Sequence, residues 1–332
     1  MLRIGCTLTP SPEAPRLARI AEELGYARIW VNDTPALYPD VWMVLTQIAE
    51  STEKIGIGPA VLVPGLRHPM TTAGAIATLE RIAPGRVAAV VGSGFTGRFA
   101  IGRKPATWRE ISEFVLAVKA LLRGDDVETP SGQMMRMMHP AGYVAARPVR
   151  VPLLIAAIGE KGLAVARDIG DGVVSLRVPQ RGFELCVVSI NGTVLRPGEN
   201  LASERVLRVC APGVAVSYHV AYALRGLEAV SQLPRGREWA EQYEALPPEV
   251  RQLALHEGHH AGGNERDVML ATPESLARSS FTGTPEELRE RLRQLESGGA
   301  TEVTYHPNSE DAEAELAAFA EMAQLSAGSA RL

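Results

Sequence analysis

Short apolar runs alternating with amphipathic stretches leave few folds open to this chain. Residues 2–8, 27–31, 55–63, 86–91, 153–158, 172–176, 206–216 and 302–305 read as strands. Helical patterns fall between them at 12–24, 41–51, 69–82, 107–122, 162–169 and 312–325. In 107–122 the apolar residues Ile111, Phe114, Val115, Val118, Leu121 and Leu122 recur with a helical period. A further helix opens at the capping box Thr284-Pro285-Glu286-Glu287 and closes at "SGGA". Strands separated by helices pair in parallel, because parallel neighbours need a crossover. Eight such units predict a closed (β/α)8 TIM barrel, a single α/β domain over 1–332. Insertions are expected at roughly 93–106, 123–151 and 177–268, the last covering the barrel mouth. Within it, 177–204 looks irregular, with a hairpin turn at Asn191-Gly192, and 219–268 is rich in helical patterns. The alternative, an open doubly wound sheet, prefers a glycine-rich first βα turn, and "TLTPSPEAP" is not one.

Composition narrows the function classes. Of 332 residues, 46% are apolar, enough for a large core. A net charge of −4 argues against nucleic acid or an acidic membrane surface as partner. Cys6, Cys186 and Cys210 are odd in number and widely spaced, so neither a disulfide framework nor a cysteine zinc site is expected. No stretch of 18 uncharged apolar residues predicts a membrane span, and the N-terminus lacks a signal-peptide pattern. The expectation is a cytoplasmic protein.

One motif points elsewhere. His256-Glu257-Gly258-His259-His260 reads as H-E-x-x-H, the pattern of zinc proteases. A third ligand is wanted, and Arg266 stands where the extended motif would place it. Glu274 follows Thr272-Pro273 with no long helix evident, and Gly258, Gly262 and Gly263 weaken the helix that would present the ligands. No metal is therefore expected. His256, His259 and His260 are expected instead on an insertion, facing a substrate pocket. No G-x-S-x-G elbow or P-loop is present.

Barrel chemistry sits at the C-terminal ends of strands, and three such ends stand out. "GPAVLVPGLRHPMTTAGAIATLERIAPGRV" runs from a strand through His68-Pro69 into a helix. "VVGSGFTGRFAIGRKPATW" runs into Gly92-Ser93-Gly94, where glycines let backbone approach a flat ligand. "VPLLIAAIGEKGLAVARDIGDGVV" runs through small residues into a helix start, which suits a phosphate.

In that order these segments resemble the luciferase-like monooxygenase superfamily. The resemblance covers most of 1–176 and returns at "FTGTPEELRERLRQLESGGATEVTY". It implies a (β/α)8 barrel that binds FMN or the deazaflavin coenzyme F420, and a homodimer. It implies a non-proline cis peptide near Ala60-Val61. Gly92, Ser93 and Gly94 are implied near the ring or ribityl chain, and Ala157, Ile158, Gly159 and Glu160 near the phosphate. Arg98 is a further phosphate candidate, and Lys161 would offset Glu160. Many members carry a catalytic histidine just after the second strand, where this chain has Asn32-Asp33-Thr34. Asp33 is then a base, a hydrogen-bond acceptor or a cap of the following turn, and His256, His259 and His260 are candidates to replace the imidazole.

The resulting expectation is an FMN-dependent monooxygenase of a small organic substrate, supplied with reduced flavin by a separate reductase. The alternatives are an F420-dependent reductase or dehydrogenase, whose acidic cofactor tail would suit Arg98, Arg103 and Lys104, and a non-catalytic flavin-binding barrel.

Overall fold

The computed structural model describes residues 2–258, 264–309 and 311–326. Its strands are β1 (Arg3–Leu8), β2 (Arg28–Val31), β3 (Gly56–Leu62), β4 (Ala89–Val91), β5 (Val127–Glu128), β6 (Met134–Met135), β7 (Leu153–Ala156), β8 (Val173–Leu176), β9 (Cys186–Asn191) and β10 (Glu302–His306). Among the described residues, eight of them close a parallel barrel in the order β1-β10-β9-β8-β7-β4-β3-β2. β5 and β6 form a separate antiparallel pair. The expected (β/α)8 architecture is the one observed.

One strand is not where the sequence predicts it. The run 206–216 lies within the helix Glu204–Val230, and the seventh barrel strand is β9. A short apolar run does not by itself distinguish strand from buried helix. Here the buried residues Val206, Val209, Cys210, Gly213 and Val214 follow helical spacing, and Pro212 suits no central strand. Asn191-Gly192 is accordingly not a hairpin turn but the exit of β9, where a Cβ on Gly192 would lie 2.4 Å from the Phe281 backbone. The stretch 177–268 therefore mixes a barrel strand with an insertion that starts after it. That insertion packs the helices Glu204–Val230, Gly236–Glu244, Pro248–His256, Glu265–Val268 and Pro273–Ser279 around Trp239 and Tyr243.

Strand alternation sorts the barrel's side chains. On β10, Val303 and Tyr305 face the outer helices, whereas Glu302 and Thr304 point inward. Glu302 forms the floor: it accepts a hydrogen bond from Trp30 Nε1 at 2.9 Å and lies 3.5–3.6 Å from the Arg28 and Arg3 guanidiniums. Gly58 keeps β3 close to its neighbour, since a Cβ there would fall 1.8 Å from the Ala88 carbonyl oxygen. Trp30, Val90, Leu154 and Val187 fill the middle, and Ala60, Val61, Ala156 and Val174 above them are only partly buried. The barrel is plugged below and open at its mouth.

Candidate functional site

One side of the mouth is a rim of small residues on β3, β4 and β7. The Ala60-Val61 peptide bond is cis, at the position the resemblance implies. Gly92 leaves β4 between two neighbours: a Cβ there would meet the Val61 side chain at 3.0 Å and Ala156 Cβ at 3.2 Å. Gly94 has φ 71° and starts the short helix Phe95–Phe99, where a Cβ would overlap Val63. The Ser93 carbonyl accepts from Ala106 N–H at 2.8 Å and closes the loop between them. Val61, Gly92 and Ala156 thus converge. Ala156 was missed from the sequence because its neighbour was chosen; the Ala157 side chain packs on the outer core, and strand alternation is the signal that separates them.

Past Ala157 the chain opens. Ile158, Gly159 and Glu160 are exposed. Gly159 caps the helix Glu160–Ile169 with no side-chain hydrogen bond, and nothing lies within 4 Å of where its Cβ would stand. Those first-turn N–H groups face open space beside the rim, a setting that favours an anion.

Arg98 is engaged with the protein itself. It is buried, with Nε donating to the Lys104 carbonyl (2.7 Å), Nη1 to the Pro64 carbonyl (2.9 Å) and both Nη atoms to Glu110 at 3.2 Å. It braces the loops after β3 and β4. Arg103 and Lys104 stay exposed beside them.

Asp33 lies two residues beyond β2, its carboxylate buried and ion-paired to Arg67. Arg67 also donates to Asp40 at 2.6 Å, tying together the loops after β2 and β3. Burial pushes the Asp33 carboxyl above its usual range, against the pull of Arg67. Capping of the next helix, Val41–Ser51, falls to Asp40.

The histidine motif is not presented on one helix. The helix Pro248–His256 ends at its first histidine, and Glu257 turns out of helical conformation (φ −59°, ψ 130°). His256 does not face a substrate pocket as expected. It is buried with its ring 5.3 Å from Phe95, 6.0 Å from Phe99 and 6.0 Å from His219, where the insertion meets the short helix after Gly94. Burial, with His219 nearby, pushes its imidazole down to about 4. His259 and His260 lie outside the described residues. Among the described residues no three His, Cys, Asp or Glu side chains are grouped to hold a metal. Behind His256, Asp267 accepts from Trp239 Nε1 at 2.8 Å and lies 3.1 Å from His219 Nε2. These partners are too far apart in sequence for spacing to reveal them.

A cleft of about 810 Å3 lies over the ends of β1 and β10, and Glu13, Leu17, Ala312 and Glu315 carry it over the first and last helices. Thr7, Thr9, Tyr38, Val209, Pro212 and Asn308 line it. The insertion helix Glu204–Val230 forms one wall and seats Gly213 against the Asn191 side chain at the end of β9. Among the described residues no helix is long and apolar enough to cross a membrane.

Known proteins share this fold and sequence. A profile of the luciferase-like monooxygenase family matches residues 3–302. The chain is 26% identical to 5,10-methylenetetrahydromethanopterin reductase of Archaeoglobus fulgidus, over 86% of each chain. It is 29% identical to F420-dependent glucose-6-phosphate dehydrogenase of Beutenbergia cavernae, over 97% of this chain and 95% of the relative. An F420-dependent secondary alcohol dehydrogenase bound to an F420-acetone adduct superposes with a TM-score of 0.65 at 17% identity, over 100% of this chain and 99% of that one. The monooxygenase RslO1 from Streptomyces bottropensis superposes at 0.63 and 19% identity, over 97% and 98%. At those identities the two structures speak for the fold alone. The sequence relatives are oxidoreductases, so the chain is an enzyme and the non-catalytic barrel is set aside. It belongs to the luciferase-like monooxygenase family.

Proposed function

We propose that this enzyme is an F420-dependent oxidoreductase that transfers hydride to or from a small organic substrate without oxygen. The observation that carries the reading is the near full-length similarity to an F420-dependent dehydrogenase. FMN with a separate flavin reductase, the first expectation, draws support only from structural neighbours of low identity.

The residues at the mouth fit a deazaflavin. Gly92, Val61 and Ala156 form a small-residue, apolar, partly buried surface at the strand ends. The open first turn at Gly159 suits a phosphate, and the exposed Arg103 and Lys104 suit an acidic tail. When bound, the deazaflavin supplies a ring carbon that accepts or donates hydride. Trp30, Val90, Leu154 and Val187 close the barrel beneath and keep water from entering below. Arg67 holds the Asp33 carboxylate at the edge of the mouth, where it orders the loops after β2 and β3. Resemblance to the family also supports a homodimer, which sedimentation analysis tests.

Fluorescence titration with F420 and with FMN is the first test, followed by anaerobic reduction and oxygen-uptake assays. F420 is expected to bind and to exchange hydride without oxygen. Tight FMN binding with substrate-dependent oxygen consumption would overturn the reading.

A further inference from the structure

We propose that Asn191, with Ser189 one pleat below it on β9, binds the substrate, and that the substrate bears an uncharged group with both a hydrogen-bond donor and an acceptor, as a carboxamide does. The inference rests on the F420 reading above, which gives the cofactor the apolar side of the mouth.

The two side chains share one face of β9. Val187 belongs to the barrel interior, whereas Val188 and Ile190 pack in the outer core. Ser189 and Asn191 therefore continue the inward row towards the open end. Beside them in register stand Leu176 on β8 and Thr304 and His306 on β10. In the closed order β9 is four strands from β3 in either direction, so the row faces Ala60 and Val61 across the mouth. Ser189 and Asn191 are only partly buried, and Leu176 next to Ser189 is exposed. This part of the wall is reached from outside.

The neighbouring polar groups are already committed. Thr7 and Thr304 are buried and share a hydrogen bond of 2.8 Å. His306 Nε2 lies 3.4 Å from Thr9 Oγ1. The side chains of Ser189 and Asn191, by contrast, hydrogen-bond to no other described residue. The Asn191 amide is nonetheless held in place. The insertion helix Glu204–Val230 passes over it at Gly213, where a Cβ would fall 2.6 Å from the amide carbon and oxygen. Glycine leaves the amide its room, and the helix backbone limits where it can turn.

A carboxamide donates through nitrogen and accepts through oxygen, a serine hydroxyl does both, and neither ionises. A ligand that covers them displaces their water and loses affinity unless it replaces those hydrogen bonds. A hydrocarbon replaces none of them, and an anion answers only the donors. An anion would also carry its charge against Leu176 and Val174, which offer it nothing. An uncharged donor–acceptor group answers both sides of the amide at no such cost.

The test uses the full chain and a set of isosteric probes: acetamide, acetone, which lacks the N–H, and acetate, which is charged. Ligand-observed NMR on the wild type loaded with F420 is expected to show acetamide binding at least about fivefold more tightly than either. Asn191→Leu is expected to weaken acetamide by about fivefold or more while F420 affinity, read by fluorescence, stays within about threefold. Asn191→Asp keeps the shape and is expected to prefer acetamidinium to acetamide at neutral pH, a reversal that a packing role for this position does not produce. Equal binding of the three probes to the wild type overturns the proposal, and this arm needs no variant to fold. A preference for acetamide that survives both Asn191→Leu and Ser189→Ala overturns it too. So does a loss of F420 affinity of about tenfold in Asn191→Leu with acetamide binding intact, which would give the amide to the cofactor. Failure of the wild type to bind F420 removes the functional reading instead, and this proposal, which makes Asn191 a partner of that cofactor's substrate, falls with it.

Discussion

The barrel floor and the insertion core each surround one buried carboxylate that accepts from a tryptophan N–H, yet they are built differently. Glu302 sits on the floor with Trp30 and two guanidiniums. Asp267 sits in the insertion with Trp239, Tyr243 and His219, and the His256 ring is 6.0 Å beyond His219. Arginine keeps its charge at any ordinary pH. The floor is thus a permanent ion cluster that supports the strands. The insertion core is instead neutral donors and imidazoles, and it abuts the helix that follows the glycine rim. The difference separates a fixed scaffold from a cover whose cohesion depends on conditions.

The largest effect should come from the floor. Glu302→Ala leaves Arg28, Arg3 and the Trp30 N–H without their shared acceptor, and is expected to cost about 3–5 kcal/mol in urea unfolding. A loss under about 1 kcal/mol would show that the cluster is not what holds the strands together. Next is Asp267→Asn, which weakens the acceptor shared by Trp239 and Tyr243 and is expected to cost about 1.5–3 kcal/mol. Hydrogen exchange should place that loss in the helices from Glu204–Val230 to Pro273–Ser279, with the barrel strands unaffected. Spread of the loss into β1 or β10 would mean that the two cores are one cooperative unit.

The smallest effect concerns pH. The His256 imidazole titrates near 4 in the fold and near its ordinary 6.5 when unfolded. The unfolded chain therefore takes up a proton first as pH falls. Stability from the buried neutral ring is complete above about 6.5 and is lost towards 4. Between pH 7 and 5 the insertion should lose on the order of 1–2 kcal/mol, seen as faster exchange in Pro248–His256. His256→Phe should flatten that dependence, and an unchanged slope would assign it to another group.

Much of the barrel was legible because its signals are local. The first six predicted strands and the last lie where alternation put them, since a strand's two faces and a helix's stripe are written in consecutive residues. The seventh was misplaced because "VLRVCAPGVAV" is apolar enough for either state, while β9 was hidden by a turn-like Asn191-Gly192. At the rim, the cis bond at Ala60-Val61 sits where resemblance implied. The partners of charged side chains were not legible.

The sequence by itself determined the alternation of strands and helices, hence a parallel barrel, and which strand ends were thinned to glycine and alanine. Only the tertiary structure decided that Arg98 braces loops, that Arg67 holds Asp33 and that His256 is packed away. The reason is physical. Periodicity is set by bonds between neighbours along the chain, whereas the surroundings of a charge or an imidazole are set by whichever distant strands the closed barrel brings alongside it.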